Sequence, residues 1–343
     1  MAPIGVALIG GGLFARQAHM PAIMKADNLA LKAVYSRSLK SAQETAALNT
    51  RSGQTPDLYS ADSGSGKSLD DLLARDDIEA VIIALPIPSQ PEHIEAALAA
   101  GKHVLAEKPL APTVARGKKL IDYHRGLGGK ATFSIAENFR FKPSFDYAAT
   151  EAAKLGKLQH FSVRVFYYMS AESQWYGTAW RAKPEFQGGF LLDGGVHFTA
   201  AARQLITEPA ADVTAFTTQV QSHLPPIDTV NAVIRLKSGV SGTYQQSCGS
   251  KLTTSVFQFG YENGSVVVDG DKVTVTQDGK ENVKEFERTN GVAEEVEAWA
   301  KALVEGKPDK RQSVDEALAD LEFLELMFES GLNGGEAKKY EYQ

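Results

Sequence analysis

The sequence predicts an α/β chain. An N-terminal doubly wound parallel sheet comes first, then a C-terminal α+β domain on a large, mainly antiparallel sheet. Three observations lead there. Short, wholly apolar runs alternate with helical stretches through the first 136 residues, as in strands buried on both faces of a parallel sheet. From Phe161 onward apolar residues recur at every second position, the mark of an antiparallel sheet with one covered face. The chain's 343 residues also exceed what one hydrophobic core ordinarily serves. The expected domains are 1–136 and 137–343.

Gly5–Ile9 reads as the first buried strand. Gly10-Gly11-Gly12-Leu13-Phe14-Ala15 follows at once and opens a helix to about Lys25. This is the G-x-G-x-x-A form of the Rossmann dinucleotide fingerprint. Gly10 serves the tight turn, Gly12 lets the pyrophosphate approach, and Ala15 lets the helix pack on the strand. Leu13 and Phe14 share the turn and are cofactor candidates with Gly10 and Gly12. The next strand, Leu29–Tyr35, normally precedes an acid that binds the ribose 2′-hydroxyl. Here Ser36 holds that position and Arg37 follows. A carboxylate would repel a 2′-phosphate, whereas serine and arginine can hydrogen-bond one. NADP(H) is therefore expected over NAD(H).

Residues 51–67, rich in Ser, Gly and Asp, read as a surface loop. Ala61–Ser68 matches a relaxed phosphate-loop pattern, but no convincing strand feeds it. It is read as a loop into a helix over Leu69–Ala74, with Ser68 as N-cap. Ala80–Leu85 is the next strand, and Leu85 and Pro86 at its end join the cofactor candidates. A helix from Pro91 to Ala100 ends at Gly101. His103–Ala106 is then a strand with Glu107, Lys108 and Pro109 at its carboxyl end, where open parallel sheets bind ligands. A helix over Thr113–Leu127 precedes the strand Ala131–Ala136, which leads into Glu137-Asn138-Phe139-Arg140-Phe141.

Beyond a helix over Ser144–Leu155 the alternating strands begin. Phe161, Val163, Val165, Tyr167 and Met169 share one face, as do Val230, Ala232, Ile234 and Leu236. Val240–Ser247, Ser255–Phe259, Ser265–Val268 and Lys272–Thr276 continue the pattern, with hairpin turns at Lys237-Ser238-Gly239 and Glu262-Asn263-Gly264. Between the first of these strands and Thr207 lie Trp180-Arg181 and Gly188-Gly189-Phe190-Leu191-Leu192-Asp193-Gly194-Gly195-Val196-His197. A helix starting near Gly194 and reaching Ile206 would put Asp193 and His197 on one face of its first turn. Its N-terminus would favour a neutral imidazole, which can take a proton from an alcohol. The plainer reading, an N-cap aspartate and a packed histidine, stays open at this point. Two helices close the chain. One carries Val292, Val296, Trp299 and Leu303. The other opens with Ser313-x-x-Glu316 as a capping box and buries Val314, Leu318, Leu321, Leu324 and Phe328.

Composition narrows the classes. Net charge is −6, without a basic block, which argues against nucleic acid as a partner. No apolar run reaches the roughly 18 residues of a membrane span, and the apolar start lacks a basic n-region. The single Cys248 cannot form an internal disulfide, which fits a reducing cytoplasm. No metal is expected, because Asp193 and His197 lack a third ligand nearby.

The fingerprint at Gly10–Ala15, the run Ala99-Ala100-Gly101-Lys102-His103-Val104-Leu105-Ala106-Glu107-Lys108-Pro109, and Gly188-Gly189 followed by Asp193-Gly194-x-x-His197 resemble the Gfo/Idh/MocA oxidoreductase family, in order and across the chain. Ser36-Arg37-Ser38 and Glu137–Phe141 look more like its fungal and yeast NADP-dependent members than its NAD-dependent inositol enzymes. The resemblance implies a dehydrogenase or reductase moving hydride between NADP(H) and a secondary alcohol or carbonyl of a sugar, polyol or related small molecule. Lys108, Asp193 and His197 would be catalytic, with His197 the acid/base. Glu107, Lys108 and Asn138 would contact the cofactor, and Pro109 would follow a cis peptide. Lys108, Arg140, Trp175, Tyr176, Arg181, Asp193 and His197 would meet the substrate. Phe198 departs from the family's usual aliphatic residue and alters the expected pocket shape. The alternatives are a redox-neutral epimerase or lyase with a tightly bound, recycled cofactor, and a non-enzymatic NADP(H) sensor. A homodimer or homotetramer through the open face of the C-terminal sheet is expected.

Overall fold

The structure is a computed structural model and describes residues 2–51, 55–129 and 131–343. Part of the expected 51–67 loop, residues 52–54, lies outside the described residues. The chain divides into two compact units. One holds the residues up to Asn138 together with Asn290–Ala317, and the other holds Phe139–Thr289 with Leu318–Gln343. A single cut at 136/137 leaves residues 290–317 in the second domain, whereas the structure groups them with the first.

In the first unit six parallel strands stand in the order β3-β2-β1-β4-β5-β6. These are β1 (Ile4–Ile9), β2 (Leu29–Ser36), β3 (Asp57–Ser60), β4 (Ala80–Ile83), β5 (His103–Glu107) and β6 (Phe133–Ala136). Their interiors are almost wholly buried, which is why the sequence shows unbroken apolar runs. The order reverses between β1 and β4, so the crevice beside the end of β1 is the switch point of the sheet. β3 lies within the stretch expected to be a loop: only Tyr59 and Ser60 are buried, and the strand lacks an apolar run. Ala61–Lys67 then runs into α3 (Leu69–Leu73), whose N-cap Ser68 forms a capping box with Asp71.

The helix expected to reach Lys25 begins as a π-helical turn, Ala15–His19, and continues as α1 (Met20–Lys25). α2 (Leu39–Ala46) is capped by Ser38, and α4 (Gln90–Ala99) and α5 (Val114–Gly126) follow as expected. The returning helix α9 (Val292–Glu305) buries Val292, Val296, Trp299 and Ala300 in the same core as Val6, Leu8, Met20 and Ile23. That apolar face explains the grouping of residues 290–317 with the parallel sheet.

The second unit carries a nine-stranded sheet, ordered β14-β13-β12-β11-β7-β10-β9-β8-β15. Its strands are β7 (Leu158–Tyr168), β8 (Ala210–Thr218), β9 (Thr229–Leu236), β10 (Ser241–Ser247), β11 (Gly249–Tyr261), β12 (Gly264–Asp269), β13 (Lys272–Gln277), β14 (Lys280–Glu285) and β15 (Lys338–Lys339). All pairings are antiparallel except β7 with β10, which run parallel. β14 is exposed along its whole length, so it carries no alternating apolar signal. α6 (Pro143–Ala152), α7 (Ala179–Ala182) and α8 (Phe190–Leu205) also belong to this unit, as does most of α10 (Val314–Leu332). At the start of α10, Ser313 Oγ accepts from the Asp315 amide (3.2 Å). Among the described residues no helix is long and apolar enough to cross a membrane.

Candidate active site

The first unit supplies a main-chain cradle. Gly10 leaves β1 at φ 132°, and a Cβ there would lie 2.2 Å from the Ala84 carbonyl oxygen. Only glycine fits that turn. A Cβ on Gly12 would meet nothing within 4 Å, so this position is open to an approaching ligand. Leu13 and Phe14 complete the turn, with Phe14 as N-cap of the π-helical turn. A tight glycine turn, an open glycine and a following helix fit the pyrophosphate of a dinucleotide.

At the end of β2, Ser36 is buried and Arg37 exposed. Two further groups, which sequence reasoning passed over, gather beside Gly11. A Cβ on Gly11 would lie 2.3 Å from Ser41 Oγ and 2.9 Å from Ser36 Oγ. Arg16 donates from Nη2 to Ser41 Oγ (3.1 Å) and from Nε to Thr45 Oγ1 (3.1 Å), and pairs with Glu44 at 2.9 Å. The signal available was an arginine directly after Ala15 of the fingerprint. Asp62 accepts from the Leu39 amide at the start of α2 (2.7 Å) and from Ser60 Oγ (2.6 Å). Those hydrogen bonds, Ser60 first, hold its carboxyl below the usual range.

Leu85 and Pro86, both half-buried, follow β4. β5 ends in Glu107, half-buried Lys108 and a cis Lys108–Pro109 peptide. Glu107 is tied from two sides. His19 Nε2 lies 2.6 Å from its Oε1, and Gln90 Nε2 donates to its carbonyl (2.9 Å). His19 and Gln90 sit in helical segments far away in sequence, which hid both. Asn138, a cofactor candidate, is buried and donates from Nδ2 to the Asn290 carbonyl (2.5 Å).

The second unit supplies side chains. α8 begins at Phe190, four residues before the expected start, with Gly189 as N-cap. Gly188 and Gly189 take φ 72° and 50°, and a Cβ on them would strike Phe328 (2.4 Å) or the Pro225 carbonyl (2.3 Å). Asp193 therefore lies at the end of the first turn and His197 in the second. The helix dipole acts mainly within the first turn, so the expected effect of the N-terminus on His197 is withdrawn.

Asp193 is buried, and its Oδ2 accepts from Arg181 Nε at 2.7 Å. The Arg181 guanidinium lies 4.2 Å from the Trp180 ring centre and 5.6 Å from that of Trp175. The His197 ring, half-buried, stacks on Phe139 (4.8 Å, 19°), and Phe198 meets Phe139 edge-on (5.4 Å). Lys142 Nζ lies 4.9 Å over the same Phe139 ring and 3.6 Å from Asp271, and burial lowers its pKa from the ordinary value. Trp175 and Tyr176 join Tyr167 and Met169 against Phe190, Leu224 and Cys248. Burial raises the phenol of Tyr167, and Cys248 and Asp193 add to that. Tyr176 stacks on Phe190 (6.1 Å) and meets His223 edge-on (5.4 Å).

Arg140, expected to meet the substrate, is held by a carboxylate of the second unit. It is buried, with Nη2 at 2.6 and 2.8 Å from the two carboxylate oxygens of Asp320. Arg203 Nη1 meets the same carboxylate at 2.5 Å. A buried acid on α10 thus pairs with both the buried Arg140 and the partly buried Arg203. The apolar pattern of α10 gave no sign of it. Among the described residues no group of three or more His, Cys, Asp or Glu could hold a metal ion.

Fold and cradle together define a dinucleotide-binding oxidoreductase class. Family models agree with that class: "Oxidoreductase family, NAD-binding Rossmann fold" matches residues 4–133, and "GFO/IDH/MocA C-terminal domain" matches 148–276. The chain belongs to the Gfo/Idh/MocA oxidoreductase family. It is 38% identical over 351 aligned residues to dehydrogenase FPY6 of Fusarium mangiferae, covering 99% of this chain and all of that one. It is 26% identical to D-xylose 1-dehydrogenase (NADP(+)) 2 of Haloferax volcanii, over 78% of this chain and 82% of that one. Among solved structures, an oxidoreductase from Thermotoga maritima superposes with TM-score 0.86 at 29% identity, over 98% of each chain.

Proposed function

We propose that this chain is an NADP(H)-dependent dehydrogenase or reductase acting on a secondary alcohol or carbonyl of a sugar, polyol or related small molecule. The observation that carries the reading is the set of side chains on α8. His197 keeps a half-buried ring, and Asp193 four residues earlier is anchored by Arg181. When bound, the nicotinamide cofactor accepts or supplies the hydride. His197 takes the proton of the alcohol, or returns it, and Phe139 fixes the plane of its ring. Lys108 offsets negative charge on the substrate oxygen, while Glu107 and Asn138 serve the cofactor. Arg181, Trp175, Tyr176 and Asp193 shape the substrate side.

The phosphorylated cofactor is favoured by Ser36, Arg37, Arg16 and Ser41, with no carboxylate at the Ser36 position. Affinities measured for NADPH and NADH test this. Tighter NADPH is expected, and equal or tighter NADH binding would reverse the choice. An NADPH-oxidation screen across aldehydes, ketoses and polyols tests the activity. Turnover with net NADPH consumption is expected. Tightly retained nucleotide with substrate conversion but no net oxidation would replace the reading with a redox-neutral one, and binding without any conversion with a sensor.

The second unit exposes Phe216, Val233 and Leu252 on β8, β9 and β11. These residues support a homodimer or homotetramer through the sheet, which light scattering would test. A cytoplasmic enzyme remains the proposed setting.

A further inference from the structure

The first unit buries an acid that the proposed chemistry leaves unused. Glu295 lies on the inner face of α9, is 0% exposed, and has no hydrogen-bond donor at either carboxyl oxygen among the described residues. No Lys or Arg among those residues forms an ion pair with it. α9 packs on α1 and on the π-helical turn before it. That turn carries His19, also 0% exposed, which holds Glu107 at 2.6 Å. From the short helix Lys310–Gln312, Gln312 Nε2 donates to the Glu295 carbonyl (3.1 Å). The titratable groups bearing on Glu295 are Glu107, at the end of β5, and Glu137, just after β6. His19 acts through Glu107, and Lys25 at the end of α1 is exposed.

An ionised carboxylate here would be desolvated, without a donor, and beside two like charges. Each of these disfavours the charge. Burial first, then Glu107 and Glu137, hold the Glu295 carboxyl well above the usual carboxylate range.

We infer that Glu295 is a positioning residue for the nicotinamide end of the cofactor site, a buried acid that works in its protonated form by letting α9 close on the His19–Glu107 pair. This rests on the reading of Glu107 and Lys108 as cofactor contacts. Neutral Glu295 leaves Glu107 as the partner of His19 and keeps the end of β5, with Lys108 beside it, in place. An ionised Glu295 would repel Glu107 and so disturb its hold on His19.

The test uses the full-length chain with Glu295→Gln, a neutral isostere, and Glu295→Ala. In the unfolded chain a glutamate titrates at about pH 4.3. Below that pH both states hold the proton, and wild type and Glu295→Gln should melt alike. Above it the unfolded chain releases a proton that the native chain keeps. Wild-type stability therefore falls with rising pH until the native group titrates, while the Gln variant escapes the loss. Its melting temperature should exceed wild type by a margin that widens as the pH rises above the unfolded-state value and levels off once the native group titrates. The infrared carbonyl band of a protonated carboxylic acid should be present in wild type at neutral pH and weakened in Glu295→Gln.

NADPH affinity should stay close to wild type in Glu295→Gln and fall about tenfold in Glu295→Ala, a change of about 1.4 kcal/mol. Wild-type affinity should also weaken as Glu295 titrates, and this component should vanish in the Gln variant. A Gln variant that melts lower at every pH, or loses affinity as the Ala variant does, would overturn the inference, because the ionised form would then be the working one. Failure of wild type to bind either nucleotide would sink the cofactor reading and the positioning role with it. The infrared band and the melting curves would still decide the protonation state.

Discussion

The turn after β1 and the first turns of α8 are both rich in glycine, yet the glycines serve different ends. After β1 they form the candidate cradle themselves. Gly10 accommodates a main-chain approach to Ala84, and Gly12 leaves open space for a ligand. Around α8 they are what lets other groups come close. Gly188 and Gly189 admit Phe328 and Pro225, and a Cβ on Gly194 would lie 2.7 Å from Tyr167 Oη. A cradle of backbone depends on φ and empty space. A platform of side chains depends on what stacks and pairs behind it, here Phe139 under His197 and Arg181 on Asp193. The first should therefore fail by backbone strain or blocked approach, and the second by loss of a particular group.

The sharpest break is expected on the α8 side. His197→Ala should lower kcat by about 10²–10⁴-fold, the usual worth of general acid–base help, while NADPH titration and melting stay as in wild type. A variant with wild-type turnover would remove His197 from the chemistry. Next is the support beneath that region. Asp320→Ala would leave the buried Arg140 and the partly buried Arg203 without their shared carboxylate. It should cost about 3–5 kcal/mol in denaturant unfolding. A loss under about 1 kcal/mol, the worth of an exposed pair, would show that the two arginines find other partners.

On the β1 side two neighbouring glycines should part company. Gly10→Ala should destabilise by about 1–3 kcal/mol, the cost of a strained backbone position, and weaken cofactor binding with it. Gly12→Ala should melt as wild type and lose only nucleotide affinity, by about tenfold or 1.4 kcal/mol. If Gly12→Ala also unfolds early, the turn is a structural necessity rather than a ligand cradle.

Legibility followed the same division. The fingerprint turn, the apolar strands and the Glu107-Lys108-Pro109 strand end could be read directly, because each depends on residues adjacent in the chain. The start of α8 was misread by four residues, since Gly194 and Gly195 look like a helix start while Gly189, at positive φ, is the real cap. β3 and β14 went unseen because neither has the apolar run or alternation that marks a strand. The family resemblance implies a substrate contact for Arg140, and nothing near it in sequence announces its partner Asp320, which is 180 residues away.

By itself the sequence determined the class of fold, the glycine turn that suits a dinucleotide, the absence of a carboxylate at Ser36, and the presence of Lys108, Asp193 and His197, the residues proposed for the chemistry. These follow from local periodicity, from φ values only glycine tolerates, and from residue chemistry. The tertiary structure alone decided that α9 returns to the parallel sheet and buries Glu295 beside Glu107 and Glu137. It alone gathered Arg16 with Ser41 and locked Arg140 onto Asp320. Charge and burial are properties of neighbours, and those neighbours come from segments separated along the chain.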